Sequence, residues 1–337
     1  MPNDQPSLSL ADEIKLLRTD RKNIALLYLG LIYLSLGFIF YGFAVLSWLH
    51  FLWLIPLMGW IQYYIVISGH EAVHKTLCYP LRLNEFFGVL GQAMVGVNFT
   101  AYRQQHLDHH QARSHEKDPD AHIYMSVIST PKGTRRGLTL VFGTIIEIFI
   151  KIIQKGSGGF GTKRKISDKV HFKMKRDSIF VILAQLSIMG ISGILIGGVP
   201  LLEQPVELLT LEGAFYWGVR LVWGYAWIWI CPLFCFTVFF NRCRIVIEHG
   251  HALQIAKSME TEFGGPRIPT VDILANPVER RIFAPFLFNY HCCHHLFMSV
   301  PHYNLPKLHA VLKRRNHDGH HELSQGYVAA LKTVIVS

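Results

Sequence analysis

Long apolar blocks alternate along the chain with polar stretches rich in histidine. From Asn23 to Leu46, "NIALLYLGLIYLSLGFIFYGFAVL" carries no charge and, as a helix, is long enough to cross a hydrocarbon core of about 30 Å. A second apolar run, Phe51 to Ser68, follows the short polar break Ser47 to His50, with Trp48 and Trp53 placed as residues at a membrane interface are. Together they predict a tight helical hairpin. Two further blocks, about Ser178 to Leu202 and about Gly213 to Phe240, are separated by "LEQPVELLTLEG" and predict another. The expected fold is an all-α integral membrane protein: four transmembrane helices in two hairpins, about 23–46, 51–68, 178–202 and 213–240. They form one domain over 23–337 after a segment 1–22, and helices in the polar segments 69–177 and 241–337 carry the histidines.

The run Gly137 to Ile153 is apolar but short and broken by Glu147 and Lys151, so it reads as a helix lying in the interface. The "KGSGGFGTKRK" that follows holds Gly156, Gly158 and Gly161 in a GxGxxG pattern. It follows an apolar helix rather than a strand and runs into Lys163, Arg164 and Lys165, so a basic linker is expected, not a nucleotide loop.

Composition agrees with this pattern: half of the residues are hydrophobic, only 17% are charged and the mean hydropathy is +0.27. Lys15, Arg18, Arg21 and Lys22 precede the first block and Arg242 and Arg244 follow the fourth, whereas the loop between the third and fourth holds Glu203, Glu207 and Glu212 and no cation. Positive-inside bias therefore predicts a multi-pass protein with both termini and the long middle segment in the cytoplasm. The first block is too long for a signal peptide, and "SWLHFLW" offers no small-residue cleavage site, so an uncleaved anchor is expected. The net charge of +10 flanks membrane spans, which points to anionic headgroups and an acidic redox partner rather than nucleic acid. Cys78, Cys231, Cys235, Cys243, Cys292 and Cys293 have no disulfide-framework spacing, and free thiols are expected.

The nineteen histidines cluster by position. "SGHEAVHKTL" holds His70 and His74, about 40° apart around a helix; "YRQQHLDHHQARSH" holds His106, His109 and His110, within an arc of about 100°; "NYHCCHHLF" repeats that spacing as His291, His294 and His295. A lone histidine is usually a hydrogen-bonded or surface residue, but eight at metal-competent spacing in three clusters on one side of the membrane argue for ligation. Eight imidazoles exceed one tetrahedral zinc; they suit two ions in a nitrogen-rich shell with open positions, and iron is the redox metal that activates dioxygen there. In "RIVIEHGH", His249 or His251 can complete a shell, with Glu248 orienting one of them. Cys292 and Cys293 would point away from the histidine arc on a helix, as small packing residues.

These residues resemble the membrane-bound fatty acid desaturases and their hydroxylase relatives. The resemblance rests on HxxxH in "HEAVH", on "YRQQHLDHH" followed by "DPD" at Asp118 to Asp120, and on "NYHCCHHLFMSVPHYNLPKLH". It implies a di-iron centre that uses dioxygen and two electrons from a separate ferredoxin-type or cytochrome b5-type donor to remove two hydrogens from an alkyl chain. The implied ligands are His70, His74, His106, His109, His110, His291, His294 and His295, with His249 of the "EHG" motif as the ninth. Asp118, Glu248, His251 and Asn289 stand as supporting residues or alternative ligands.

Acyl-CoA desaturases carry an asparagine where this chain has Ile245, which weighs against that carrier. The third box begins with His291 rather than glutamine and no HPGG segment is present, so fused front-end desaturases fit poorly; Met298 stands where relatives usually have proline. The nearest rival keeps the metal and hydroxylates or ketolates a carotenoid, sphingolipid or alkane. A metal transporter would place polar ligands near the bilayer midplane, where these spans are nearly bare of them.

Overall fold

The computed structural model describes residues 8–153, 167–197, 210–258 and 268–336. The glycine-rich stretch Gly156 to Gly161 with its basic tail, and Glu203 and Glu207, lie outside the described residues.

Among the described residues, four helices are long and apolar enough to span a membrane. In chain order, α1 covers Leu10–Thr19, α2 Ile24–Val45 and α3 Phe51–Val73. The first hairpin is α2 and α3, turned through Trp48–His50. In α2, Ala25, Leu29, Ile32, Leu36, Ile39 and Phe43 are buried at alternating intervals of four and three, the stripe of a helix packed along one side. Leu27, Leu31, Leu34, Phe38 and Tyr41 are exposed on the other side. An apolar exposed face this extensive suits lipid rather than water.

Four further helices follow: α4 Leu81–Met94, α5 Phe99–Gln111, α6 Ala121–Ile128 and α7 Thr134–Ile153. The last covers the run expected at the interface and is not among the four candidate spans. The third span is α8, Asp168–Gly197. It starts well before Ser178, because its charged first turns continue a hydrogen-bonding pattern that does not depend on hydropathy. The fourth begins with α9, Leu211–Tyr225, and runs without a break to Lys257, far beyond Phe240. On the way it passes α10, Val238–Ile245, and ends in α11, Ala252–Ser258.

Three π-helical turns, Ala226–Ile230, Leu233–Thr237 and Val246–His251, interrupt this last helix. Such bulges shift the helical register and collect at functional sites. Where the third and fourth spans cross, a Cβ on Gly224 would stand 2.5 Å from the Ser192 carbonyl oxygen, so only glycine allows this approach.

The C-terminal region contributes α12, Pro277–Phe283, α13, His291–Leu296, α14, Leu305–Arg314, and α15, Tyr327–Ile335. The all-α expectation omits one small feature: β1, Asp272–Ile273, pairs in parallel with β2, Glu322–Leu323. Helix α1 lies on this region, with Ile14 buried in a cluster with Val300, Leu305, Leu308 and Leu312, and Glu13 accepting from Arg315 at 2.8 Å.

Candidate metal centre

Each histidine cluster reaches the centre on its own helix. Helix α3 continues past Ser68 and carries His70 in its last turn; His74 closes it, and Lys75, at a φ of 63°, turns the chain away. Asn98 accepts from the Ala101 amide at 3.0 Å to start α5, which Thr100 fastens to α8 by donating to Asp177 at 2.6 Å. Helix α5 presents His106, His109 and His110, α13 presents His291, His294 and His295, and His249 sits in the last π turn of the fourth span.

The nine rings divide into two groups. His70, His74, His106, His110 and His294 each bring one ring nitrogen into a first set, and His109, His249, His291 and His295 into a second, all within 4.8 Å inside a set. In the first, His106 Nε2 lies 2.9 Å from His74 Nε2 and 3.0 Å from His110 Nε2, and His294 Nε2 lies 3.2 Å from His110 Nε2. In the second, His291 Nε2 and His249 Nε2 are 2.8 Å apart. Each HH doublet is split: neighbours on a helix diverge by about 100°, so His109 and His110, like His294 and His295, serve opposite sets. His110 and His295 stack at 4.1 Å where the sets adjoin.

Around these rings lies a layer of carboxylates. His109 Nδ1 donates to Asp118 at 2.7 Å, and Asp118 also accepts from Tyr124 at 2.9 Å. Glu71 stands 3.2 Å from His70 Nδ1. Glu248 lies 3.4 Å from His291 Nδ1 and accepts from Arg244 at 2.8 Å and Tyr327 at 2.9 Å. The Glu248 expectation is thus corrected in its target: one turn of helix aims it across the site at His291, not at its neighbours His249 or His251. His251 lies outside both sets, and Asn289, two residues before α13, donates to the Ile273 carbonyl of β1 at 3.0 Å. Phe288 packs edge-on to His70 at 4.3 Å under the Arg244 guanidinium at 4.1 Å.

Sequence reading overlooked Glu71, Arg244, Phe288, Tyr124 and Tyr327. Glu71 alone had a visible signal, because it lies inside HxxxH.

Electrostatics favour neutral rings. Burial, reinforced by mutual repulsion among the imidazolium forms, pushes His74, His106, His110, His291 and His295 well below the usual histidine range and His294 down to about 3. His109 is the exception: burial would lower it, but the Asp118 bond outweighs burial and raises it. The fully buried His70 Nε2 has no hydrogen-bond partner among the described residues. Neutral, inward-facing nitrogens backed by carboxylates fit ligands of two nitrogen-loving metal ions.

A cavity of about 310 Å³ opens beside the rings. His70, His106, His109, His249 and His291 form its polar end, and Val66, Ile67, Leu233, Phe234, Val238 and Ile245 form its apolar walls. The second π turn supplies Leu233 and Phe234.

A family model described as fatty acid desaturase matches residues 46–327, which include all nine histidines. No curated protein matches the chain.

Proposed function

Because the chain belongs to the fatty acid desaturase family, we propose that it is a membrane lipid desaturase that introduces a double bond into a fatty acyl chain with dioxygen and two external electrons. The observation that carries this reading is the cavity: an apolar slot between two membrane helices that ends on both histidine sets. A hydrocarbon chain entering from the bilayer would meet the centre without crossing water.

Two iron ions would fit the sets: His70, His74, His106, His110 and His294 would hold one, and His109, His249, His291 and His295 the other. When bound, they would supply the dioxygen chemistry able to take hydrogen from an unactivated methylene. The protein's own part is positional. Val66, Ile67, Leu233, Phe234, Val238 and Ile245 sheathe the chain and exclude water, strengthening every electrostatic interaction at the centre. Asp118, Glu71 and Glu248 fix ring orientation, and His109 keeps its proton on Nδ1 toward Asp118. Ile245 gives the slot an apolar wall where acyl-CoA desaturases carry asparagine, which supports a lipid-borne substrate.

The electron donor in this reading is a separate acidic carrier of ferredoxin or cytochrome b5 type, drawn by the +10 net charge. It docks on the cytoplasmic side, where positive-inside bias places the termini and histidine boxes.

Lipids from cells expressing the wild-type protein or His294→Ala test the reading. A new double-bonded acyl species in the first only, with about two irons per wild-type chain, is expected. A hydroxyl or keto product would transfer the chain to the hydroxylase branch, and full activity with zinc at both sets would overturn the oxidase reading.

A further inference from the structure

Behind the third histidine box lies a second constellation that the proposed reaction does not use. Helix α13 sends His291, His294 and His295 to the centre and presents Cys293 on its other side. There Cys293 Sγ lies 2.9 Å from Asp272 Oδ2, His309 Nδ1 lies 2.7 Å from the same oxygen, and His320 Nε2 lies 3.1 Å from it. The two ring nitrogens are 3.2 Å apart. All four donors fall within 4.8 Å of one another. Asp272 and Cys293 are fully buried, and the side chains of His309 and His320 are only 12% and 5% exposed.

A hydrogen-bonded hub accounts for this arrangement poorly. One carboxylate oxygen faces three potential donors, while Asp272 Oδ1 takes the Cys293 amide at 3.1 Å. If both rings donate to that oxygen, two N–H groups are forced together at 3.2 Å. Around a cation, all four atoms would instead offer lone pairs. The same signature, ring nitrogens facing one another at 2.8–3.2 Å, marks the nine-histidine centre.

We propose that Asp272, Cys293, His309 and His320 form a third metal site, closed and four-coordinate, that takes a zinc ion. One thiolate, two imidazoles and one carboxylate are the donor types that zinc combines, and bonds of about 2.0–2.3 Å in a tetrahedron require donors about 3.3–3.7 Å apart. The three spacings to Asp272 Oδ2 and the one between the rings, 2.7–3.2 Å, need only a small expansion. Four protein ligands leave no open position, so the role is structural. Binding releases the Cys293 thiol proton to solvent. Glu322 stands 3.1 Å from His309 Nε2, on the far side of the ring from the site, placed to orient it as carboxylates orient zinc-bound histidines.

The site would join β1, α13, α14 and the turn before β2. Helix α13 has six residues, too few to hold its form alone. A zinc on Cys293 would fix the back of the helix whose front supplies three ligands to the iron centre.

Because no thiolate belongs to the nine-histidine centre, a thiolate signal reports the new site alone, whatever happens to the desaturase reading. The full chain, purified in detergent and loaded with Co²⁺, should show a near-ultraviolet thiolate-to-cobalt band. Cys293→Ser should lose it while the histidine-ligated cobalt absorption stays, and Cys292→Ser should keep it. Elemental analysis of protein from zinc-replete cells should find one zinc per wild-type chain beyond the metal of the nine-histidine centre. Should Cys293→Ser not fold, His320→Gln gives the second reading: zinc affinity, measured by chelator competition, should fall by at least about tenfold. A wild-type protein without the thiolate band, a band that survives Cys293→Ser, or an unchanged affinity in His320→Gln overturns the proposal.

Discussion

At residue scale the centre depends on pairs, not single ligands. His109 is held by Asp118, whose carboxyl burial would raise but which the His109 hydrogen bond keeps below its ordinary value. Asp118→Asn keeps the shape and removes the charge. Loss of such an outer carboxylate costs about 10- to 100-fold in metal affinity or activity. The expected result is weakened occupancy of the His109, His249, His291 and His295 set with the other set retained, read by iron titration; equal loss from both sets would contradict this division. Sequence spacing identified His109 as a ligand candidate, because helical periodicity is local. It could not assign His109 and His110 to different sets, because that depends on which helices face each neighbour.

At the scale of elements, two contacts decide how the scaffold is held. Glu85 on α4 joins Arg103 of α5 at 3.0 Å and Lys173 of α8 at 3.0 Å. Burial alone would raise its carboxyl, but Lys173 and Arg103 outweigh burial and bring it down to about 2. A depressed carboxyl contributes stability that is fully present above the ordinary value of 4.5 and is lost as pH falls from there toward 2. Glu85→Gln should therefore lower stability at pH 7 by about 1 kcal/mol, less in high salt. Thermal unfolding at several pH values should show the gap to wild type closing as pH falls toward 2, whereas a pH-independent gap would show that charge is not the cause.

The second contact is the crossing at Gly224. Gly224→Ala should destabilise by about 1–3 kcal/mol through overpacking. Gly218→Ala, whose new Cβ meets nothing within 4 Å, should be neutral or gain up to about 1 kcal/mol from helix propensity. Equal melting of the two variants would remove the close approach from the account. Neither contact is legible in the sequence: a span of this composition can cross its neighbour at any glycine, and Glu85 resembles any other surface carboxylate.

At the scale of the whole molecule, the nine histidines come from four segments between His70 and His295 that converge only when folded. Metal binding by these sets would therefore be linked to folding. A site that binds the folded chain alone stabilises it by about 2.7 kcal/mol when free metal exceeds its dissociation constant a hundredfold. Chelator-treated protein should melt below the iron-loaded form, and identical melting curves would mean that the ligands do not close the fold.

The sequence by itself determined the membrane class, the four apolar spans and the three histidine boxes, and it left the ninth ring between His249 and His251, with the family resemblance favouring His249. Hydropathy and helical period act over a few turns, so these features need no long-range contact. Tertiary structure alone decided the partition into two sets, the aim of Glu248 at His291, the apolar slot behind Ile245, and the meeting of Cys293 with Asp272, His309 and His320. Each depends on atoms from distant segments meeting at 3–4 Å. Packing of whole helices fixes such distances, and no local pattern encodes them.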